Sequence, residues 1–464
     1  MGMKPSTISK TLAIAVCIPL SLAQLSNTIP LTVSQAVERA VRNYPSIQAS
    51  EEQVNAAIAG IRQARTNYLP GVNALAQVNR ATRNNVFGLL LPQNVIPGIA
   101  GPVLGTNNGK NVWGSAAGVL VSWEPFDFGR RRALVQSANA VRNRSELTEK
   151  RTQFEVATAT AAAFLTLVAS QQTVRAAQAA VDRAQVLVRS VTALTNAQLR
   201  PGADLSRANT ELDAAQTQLW QAEQSVGVGK AALAQYTGAD PRLIETLSGP
   251  LLSLPGEDTM TNSAEVASNP AAKEQSAVVQ ELQARLRVLQ QTYRPTFELQ
   301  LSGFARGTGA LVNGSTLGGW NGLGPNYFNV AAGFTVNIPL MALPSIRAQQ
   351  AQEAALGRSA EATYRRVLTD LQAQVQAAQV TFTQARRIAE LTPKEIADAR
   401  VGFEQTNAQY RSGLTTIVAV AEAQRLLAQA EIDDALARLA VWRALLQIQT
   451  AQGDITNFLA SASR

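Results

Sequence analysis

Apolar residues recur every three or four positions along four long stretches of the chain, a spacing that predicts amphipathic helices. The longest stretch runs from Arg130 to Arg200, 71 residues without an internal glycine or proline. As one helix it would be on the order of 100 Å long. Many of its apolar positions are alanine, and small side chains let two helices pack closely. The pattern therefore predicts coiled coils and no globular core.

The matching stretch nearer the C-terminus, residues 345–411, contains Pro393 directly after Thr392. Threonine is a favourable N-cap, and proline fits the first position of a helix, where the missing N–H group has no intrahelical partner to lose. We therefore predict that this stretch folds as two stacked helices.

Four shorter segments alternate apolar and polar residues with the period of two that a β-strand has. The clearest has six apolar residues at alternate positions from Phe328 to Ile338. Aromatic residues cluster near the segment ends. The predicted strands are 71–81, 112–124, 296–306 and 327–339, and the aromatic residues are Tyr68, Trp113, Trp123, Tyr293, Trp320 and Tyr327.

Two structures are compatible with these strands. They would form half-buried hairpins on a soluble sheet, or part of a transmembrane barrel, whose strands have ~9–11 residues with aromatic residues near the interfaces. No run of 18 apolar residues follows the N-terminal region, so a membrane would have to be crossed by strands. The strand lengths favour the barrel. Because the smallest membrane barrels have ~8 strands, several chains must then contribute, in closed cyclic symmetry without exposed strand edges.

The order helix, strand pair, long helix, turn, helix occurs twice. Pro45 and Pro70 lie 25 positions apart, and Pro270 and Pro295 repeat that spacing. The chain is therefore predicted to be an internal duplication. Its parts are a signal peptide (1–23), a first repeat (24–238), a linker (239–261), a second repeat (262–453) and a C-terminal tail (454–464), with long helices at about 130–200, 203–236, 345–411 and 414–452.

The N-terminus has the features of a signal peptide. Two lysines precede an apolar run at residues 12–18, and a small-x-small cleavage signal ends at Ala23. Cys17 offers lipidation as an alternative, although Val16 occupies the preceding position, where a small residue is normally required. The chain is predicted to be exported.

The composition excludes several classes of site. The chain contains no histidine, and Cys17, its only cysteine, lies in the predicted signal peptide. Histidine-dependent triads, histidine-ligated metals, cysteine–zinc clusters and disulfides are therefore excluded from the mature chain. The formal net charge is +8, but basic and acidic residues are interleaved along the helical stretches. We expect solvated helix faces, no nucleic acid partner, no catalytic activity, no cofactor and no metal site.

The layout resembles the TolC family of outer-membrane efflux and secretion channels. The resemblance rests on the duplication and on motifs that follow in the same order. These are Leu31 to Val37 with Asn43-Tyr44-Pro45, Tyr68-Leu69-Pro70, Ser122 to Arg130, Tyr293-Arg294-Pro295, and Tyr410 to Gly413 followed by Ala421 to Leu427.

The resemblance implies a mainly α fold with a membrane β portion. It implies a homotrimer in which each chain supplies four strands to a 12-stranded outer-membrane β-barrel and long antiparallel helices to a periplasmic α-barrel. It also implies outer-membrane lipid around the barrel, and docking to a periplasmic adaptor protein and an inner-membrane pump.

Three functions stay open on the residues alone. The first is a passive exit duct of a tripartite efflux pump or type I secretion system. The second is a periplasmic coiled-coil scaffold that does not conduct. The third is a carboxylate-based envelope hydrolase, which the lack of a compact α/β or sandwich pattern disfavours. The resemblance favours the duct, without specifying the transported substrate.

Two short turns join long helices and are predicted to form hairpin tips at the periplasmic end. A glycine in each turn is expected to adopt the left-handed conformation that a helix C-terminus favours. By resemblance, the tips contact the adaptor protein through Arg200, Gly202, Arg411 and Gly413.

The resemblance also implies a gate just inside the tips, where acidic side chains ring a constriction and attract cations. Counted from Gly413, the matching acidic position is Glu422, and Tyr410 matches the family's tyrosine. Thr415 occupies the family's basic gate position, and Ala419 occupies an earlier acidic one. Part of the family's closed-state contacts is therefore expected to be missing.

Glu422 has a second interpretation. It precedes Arg425 by one helical turn, so a solvated ion pair is the alternative to a role in the gate. Asp204, beside the other tip, is then the next candidate for the acidic gate residue.

Overall fold

The computed structural model describes four parts of the chain, residues 29–82, 110–256, 265–311 and 315–463. The predicted signal peptide, including Cys17, and the last five residues of the predicted linker, 257–261, lie outside the described residues. In chain order the helices and strands are β1 Ile29–Leu31, α1 Val33–Asn43, α2 Pro45–Thr66, β2 Gly71–Thr82, β3 Asn111–Phe126, α3 Arg130–Asn196, α4 Gly202–Thr237, β4 Ile244–Thr246, α5 Pro270–Gln291, β5 Thr296–Thr308, β6 Tyr327–Asn337, α6 Leu343–Arg411, α7 Ile417–Gln452 and α8 Thr456–Ala462.

The four long helices form two antiparallel pairs. Helix α3 packs along α4, and α6 packs along α7. Because α3 also contacts α7, the order across the chain is α4, α3, α7, α6, with α4 and α6 at the two edges. The shorter α2 packs on α3, and α5 packs on both α3 and α6. The two halves of the chain are thus joined side by side.

Small and apolar side chains mediate the helix contacts, as the periodicity predicts. In α3, Ala161 and Phe164 are fully buried in a cluster that includes Leu445 of α7. Further along α3, Val181 packs with Leu219 of α4. The burial of one stripe on each helix explains how helices of more than 60 residues stay extended without a globular core.

The predicted break at Pro393 is wrong, because α6 continues through this residue to Arg411. Proline removes the N–H group that would bond the carbonyl of Ala389, at a cost of about 3 kcal/mol in a helix interior. Packing along α7 offsets this cost: Ala389 and Thr392 are buried there. Thr392 does not cap a new helix, since its Oγ1 donates to Oδ1 of Asp434 on α7 at 2.7 Å.

The segment between the halves is fastened to the helices. Strand β4 pairs in parallel with β1, and Nε1 of Trp442 donates to the carbonyl of Ser253 at 2.9 Å. The side chain of Asn269, which begins the second half, donates to the carbonyl of Thr450 at 3.1 Å. Gly453 lies beside it with φ of +87°, where a Cβ atom would come within 2.6 Å of the Asn269 Cα. Only glycine fits this contact.

The junction between strands and helices centres on Arg131, whose side chain is buried although it is charged. Its Nε donates to Oδ2 of Asp127 at 2.9 Å, and its Nη1 donates to the carbonyl of Asn67 at 3.3 Å. Its Cζ lies 5.1 Å from the ring centroid of Tyr68. These contacts bind the end of β3, the entry to β2 and the start of α3 to one another.

Strands β2, β3, β5 and β6 form one antiparallel sheet in that order, so β2 and β6 are its edges. The register aligns residues in rows across all four strands. One row is Val72, Val121, Leu301 and Ala332. The neighbouring row is Asn73, Leu120, Ser302 and Ala331, and it belongs to the opposite face.

The apolar face of this sheet is the exposed one. Phe328 and Val330 are each 75% exposed and Phe334 is 61% exposed, whereas Gln300 and Ser302 on the opposite face are buried. A soluble sheet would bury its apolar face in a core. This distribution therefore disfavours the soluble hairpin and favours an apolar surrounding.

Candidate functional site

The two hairpin tips meet at the end of the helices farthest from the sheet. The first tip joins α3 to α4, and the second joins α6 to α7. A small apolar cluster holds them together, with contributions from all four helices. Its buried members are Leu187, Val191, Ala208, Tyr410, Ile417 and Val420.

Tyr410 is the centre of the contact between the tips and is 1% exposed. Its hydroxyl donates to Oδ2 of Asp204 at 3.0 Å. The guanidinium of Arg200 lies over its ring, with 4.5 Å from Cζ to the ring centroid, and Nη2 donates to the Tyr410 carbonyl. A residue of the second tip is thereby held by a cation–π contact and two hydrogen bonds to the first tip.

The environment of Tyr410 keeps its hydroxyl protonated. Burial raises the pKa of Tyr410 to about 12, the hydrogen bond and charge of Asp204 act in the same direction, and Arg200 opposes them. The ordinary pKa of tyrosine is about 10. The stability that comes from this shift is fully present below about pH 10 and is lost as the pH rises through about 12. Near neutral pH the hydroxyl remains a donor.

The structure places the two tip glycines differently. Gly413 follows α6 with φ of +82°, which confirms the left-handed conformation predicted for it. The same prediction for Gly202 is wrong: Gly202 is the first residue of α4, and the left-handed residue of that tip is Gln198, with φ of +59°. Pro201 has the extended conformation of an N-cap residue and already directs the chain into α4.

The remaining residues of the predicted sites lie around this contact. Arg411 is exposed at the end of α6 and lines a groove between α6 and α3. Thr415 is half-buried in the turn before α7. Glu422 is half-exposed on α7 and pairs with Arg425, as its second interpretation anticipated. Of the two acidic residues named for the gate, Asp204 is the one that contacts the other tip.

Sequence reasoning missed two features of this region. The sequence predicts only adaptor contacts for Arg200, and no periodicity relates it to Tyr410, 210 positions away. Gln424 is buried, donates to the Ala180 carbonyl at 3.2 Å and lines a groove of about 570 Å³ between α4 and α7. The sequence does contain a sign of the second feature, because Gln424 is a polar residue at a position of α7 where the periodicity places a buried side chain.

Within the described parts of the chain, no group of three or more metal-ligating side chains is close enough to hold an ion. Among the described helices, only α3 has an 18-residue window apolar enough to span a membrane, with mean hydropathy 1.3, and half of that window is buried against other parts of the chain. Such burial is also usual for a core helix.

The sequence matches a described protein family over most of its length. The family is that of the outer membrane efflux protein, and the match covers residues 36–239 and 263–454. The chain belongs to this family. It is accordingly an outer-membrane protein with a large helical portion in the periplasm. The family consists of channels and not of enzymes.

Solved structures of outer-membrane channels share the fold. The chain is 18% identical to the outer-membrane channel OprN, with a TM-score of 0.72 over 91% of this chain and 89% of that one. It is 16% identical to the CmeC outer membrane channel of Campylobacter jejuni, with a TM-score of 0.73 over 97% and 94%. The chain is 16% identical to the outer membrane protein VceC of Vibrio cholerae, with a TM-score of 0.72 over 91% of this chain and 96% of that one. The comparison with curated proteins found no match.

Replacing Tyr410 by phenylalanine should loosen the contact between the tips. The change removes the hydroxyl that Asp204 accepts from and keeps the ring beneath Arg200. We expect a loss of about 1.5 kcal/mol, the low end for a bond to a charged acceptor, because Asp204 is half-exposed. Amide hydrogen exchange in segments 198–206 and 408–416 should then accelerate about tenfold.

Tyr364→Phe is the matched control, since it removes a hydroxyl from the same helix far from the tips. Equal exchange rates in Tyr410→Phe and the wild type would contradict the assignment. The difference between the ultraviolet titration curves of the wild type and Tyr410→Phe should place the ionisation of Tyr410 near pH 12.

Proposed function

We propose that three copies of the chain assemble into a passive exit duct through the outer membrane. The observation that carries the proposal is the sheet, which exposes an apolar face and leaves β2 and β6 unpaired at its edges. Backbone groups at such edges have no partners in lipid, so only a closed barrel satisfies them. Three copies with four strands each give 12 strands, enough to close.

The aromatic residues on β3 support a membrane-spanning sheet. Trp113 and Trp123 lie ten positions apart on the same face, a distance of about 34 Å along an extended strand. With the tilt of about 45° that membrane barrels have, this gives a height of about 25 Å, which matches their apolar band. Phe297 and Phe334 extend the aromatic set at the helical end.

The edges determine how the copies meet. Strand β6 of one copy would pair with β2 of the next, a heterologous contact that closes into a ring under rotation. In this proposal the polar face, with Gln300, Ser302 and Asn329, lines the lumen, and the apolar face contacts outer-membrane lipid. The tunnel of long helices continues below it into the periplasm.

We further propose the organisation read from the sequence, with a signal peptide at 1–23, repeats at 24–238 and 262–453 joined by the linker 239–261, and a tail at 454–464. The proposed partners are a periplasmic adaptor protein and an inner-membrane pump of a tripartite efflux or type I secretion system. Family membership supports this set. A duct requires no catalytic residue, and we propose that the chain has no enzymatic activity.

Purified protein in a planar lipid bilayer tests the duct. We expect stepwise currents, because a closed barrel with a polar lumen conducts ions. A non-conducting scaffold is the competing function, and it predicts a silent bilayer. Flotation of the protein with liposomes is the control, since a silent bilayer counts against the duct only where the protein has inserted.

The tips are the proposed docking site for the adaptor, through Arg200, Gly202, Arg411 and Gly413. Gly413→Trp should abolish co-purification of the adaptor with a tagged chain and should stop transport, because a bulky side chain at the exposed turn blocks the approach of a partner. The trimer should persist, since a Cβ atom at Gly413 meets nothing closer than 3.8 Å.

Gly413→Ala is the matched control. It imposes the same backbone strain at φ of +82°, about 1–2 kcal/mol for a left-handed L-residue, without the bulk. Retained adaptor binding in Gly413→Trp would remove the docking assignment. Loss of binding in both variants would assign the effect to turn conformation.

The proposed gate comprises Glu422, Tyr410, Thr415 and Asp204. Glu422→Gln should weaken cation selectivity, because it removes a carboxylate and leaves the charge of Arg425 unpaired near a narrow lumen, where fixed charges act strongly on ions. The measurement is the reversal potential under a potassium chloride gradient, which should move toward zero.

Glu245→Gln, an exposed position on β4 far from the tips, is the control and should leave the reversal potential unchanged. Identical potentials for Glu422→Gln and the wild type would contradict the role of Glu422. The same measurement on Asp204→Asn would then test the second acidic candidate.

A further inference from the structure

The two strand pairs and the segments that connect their strands carry positive charge only. Residues 71–123 and 299–342 contain four basic residues and no aspartate or glutamate, so their formal charge is +4 in each chain. The basic residues are Arg80, Arg83, Lys110 and Arg306. A surface with charges of one sign favours partners of the opposite sign. The sheet is therefore suited to an anionic partner.

One of these basic residues belongs to a group that we call the Arg–Trp cluster, consisting of Arg80, Trp113 and Trp320. Arg80 on β2 and Trp113 on β3 are paired in the register, and the Arg80 Cζ lies 5.1 Å from the Trp113 ring centroid. The ring of Trp320 stacks on that of Trp113, with 6.2 Å between the centroids and 9° between the planes. The cluster thus combines a guanidinium with two nearly parallel rings.

The segment between β5 and β6 is bonded to β3, and these bonds position Trp320. The N–H of Gly309 donates to the Trp113 carbonyl at 2.9 Å, and the N–H of Leu317 donates to the Gly309 carbonyl at 2.7 Å. Gly322 has φ of +98°, and a Cβ atom there would collide with the Trp113 carbonyl. Trp320 itself is 77% exposed. Its ring is therefore held in place while most of its surface stays available to a partner.

The Arg–Trp cluster lies on the apolar face of the sheet, at the end farthest from the helices. Arg80 and Trp113 are each eight positions from a member of the row that contains Val72 and Val121, so they share the face of that row. In the proposed membrane-spanning sheet, Trp113 marks the boundary of the apolar band away from the periplasm. The cluster then lies at the depth of the outer-leaflet headgroups, where tryptophan is favourable.

We propose that the Arg–Trp cluster binds the headgroup of a phosphorylated glycolipid in the outer leaflet of the membrane. The guanidinium of Arg80 donates hydrogen bonds to a phosphate of the headgroup, and the exposed ring of Trp320 packs against a sugar ring. The inference rests on the membrane-spanning sheet proposed above and adds a lipid site to it.

Charge and shape together select this ligand. A phosphate monoester carries about −1.5 to −2 charges near neutral pH, more than the single charge of a phosphodiester, and it offers more oxygens to a guanidinium. Trp320 adds a flat apolar surface, which suits the C–H groups of a sugar ring. Because Arg80 projects from the face of β2 and not from its edge, pairing of β2 with another copy leaves the guanidinium accessible.

Native mass spectrometry of the purified protein in detergent tests the site. The probes are lipid A with two phosphates, the same lipid A with both phosphates removed, and phosphatidylglycerol. We expect the bisphosphorylated lipid A to bind about tenfold more tightly than either of the others, because only it offers both the monoester charge and the sugar. Equal affinity for any two of the three that include bisphosphorylated lipid A would overturn the proposed ligand.

Arg80→Gln should lower the affinity for bisphosphorylated lipid A about tenfold. The matched control is Arg306→Gln. Arg306 is aligned through Ala116 with Gln77, three positions from Arg80, but it belongs to the opposite face of the sheet. Its replacement removes the same charge and should leave the affinity unchanged. Equal losses in the two variants would assign binding to overall charge and overturn the cluster.

Trp320→Ala should lower the same affinity about threefold, since it removes the aromatic surface, and Trp320→Phe should retain most of it. This pair leaves β2 unchanged, so it makes the test even where Arg80→Gln fails to assemble. Unchanged affinity in Trp320→Ala would overturn the sugar contact.

Conductance of the wild type in a planar bilayer separates the lipid site from the duct. A wild-type protein that conducts but binds all three lipids equally would overturn the lipid site and leave the duct in place. A wild-type protein that neither inserts into liposomes nor conducts would instead overturn the proposed function on which the site rests.

Discussion

A sheet of four strands leaves backbone N–H and C=O groups unpaired along β2 and β6, and here its exposed face is apolar. Exposure of the apolar face to water is unfavourable, and lipid offers no hydrogen-bond partners to the backbone groups at the two edges. Both requirements are met when sheets of several copies join within a membrane. The helices keep the same sides, with α4 below β2 and α6 below β6, and Arg131 fixes the passage from strand to helix. In the proposed assembly, one closure therefore organises both the sheet and the helices.

The helical portion obtains its stability from narrow stripes of small and apolar side chains. Such stripes bury little area per residue but recur along much of α3 and α6, so their contributions add. This explains why α6 passes through Pro393 unbroken. The lost hydrogen bond is local, whereas packing along α7 continues on both sides of the proline, and Thr392 adds a bond to Asp434.

The contact between the tips depends on polar interactions that compensate the burial of Tyr410. Tyr410 gives up hydration to be buried, and its hydroxyl regains a partner in Asp204, which is half-exposed and reachable by water. Arg200 contributes both a charge above the ring and a bond to the backbone. In most of this contact, Asp204 and Arg200 from the first half of the chain bind Tyr410 from the second half. It joins the halves where the seam contacts end.

Local information in the sequence was sufficient for three of the four long helices, the four strands of the larger sheet and the alternation of apolar and polar residues from Phe328 to Ile338. Periodicity and turn chemistry depend on neighbours within a few positions, and they also identified Gly413 as a left-handed residue. The order of the motifs along the chain was sufficient to identify the family. The tertiary structure decided which face of the sheet is covered, how α6 tolerates Pro393, why Gly202 needs no special conformation, and that Arg200 and Asp204 hold Tyr410. These outcomes depend on contacts between residues far apart in sequence, where packing energy outweighs local preference.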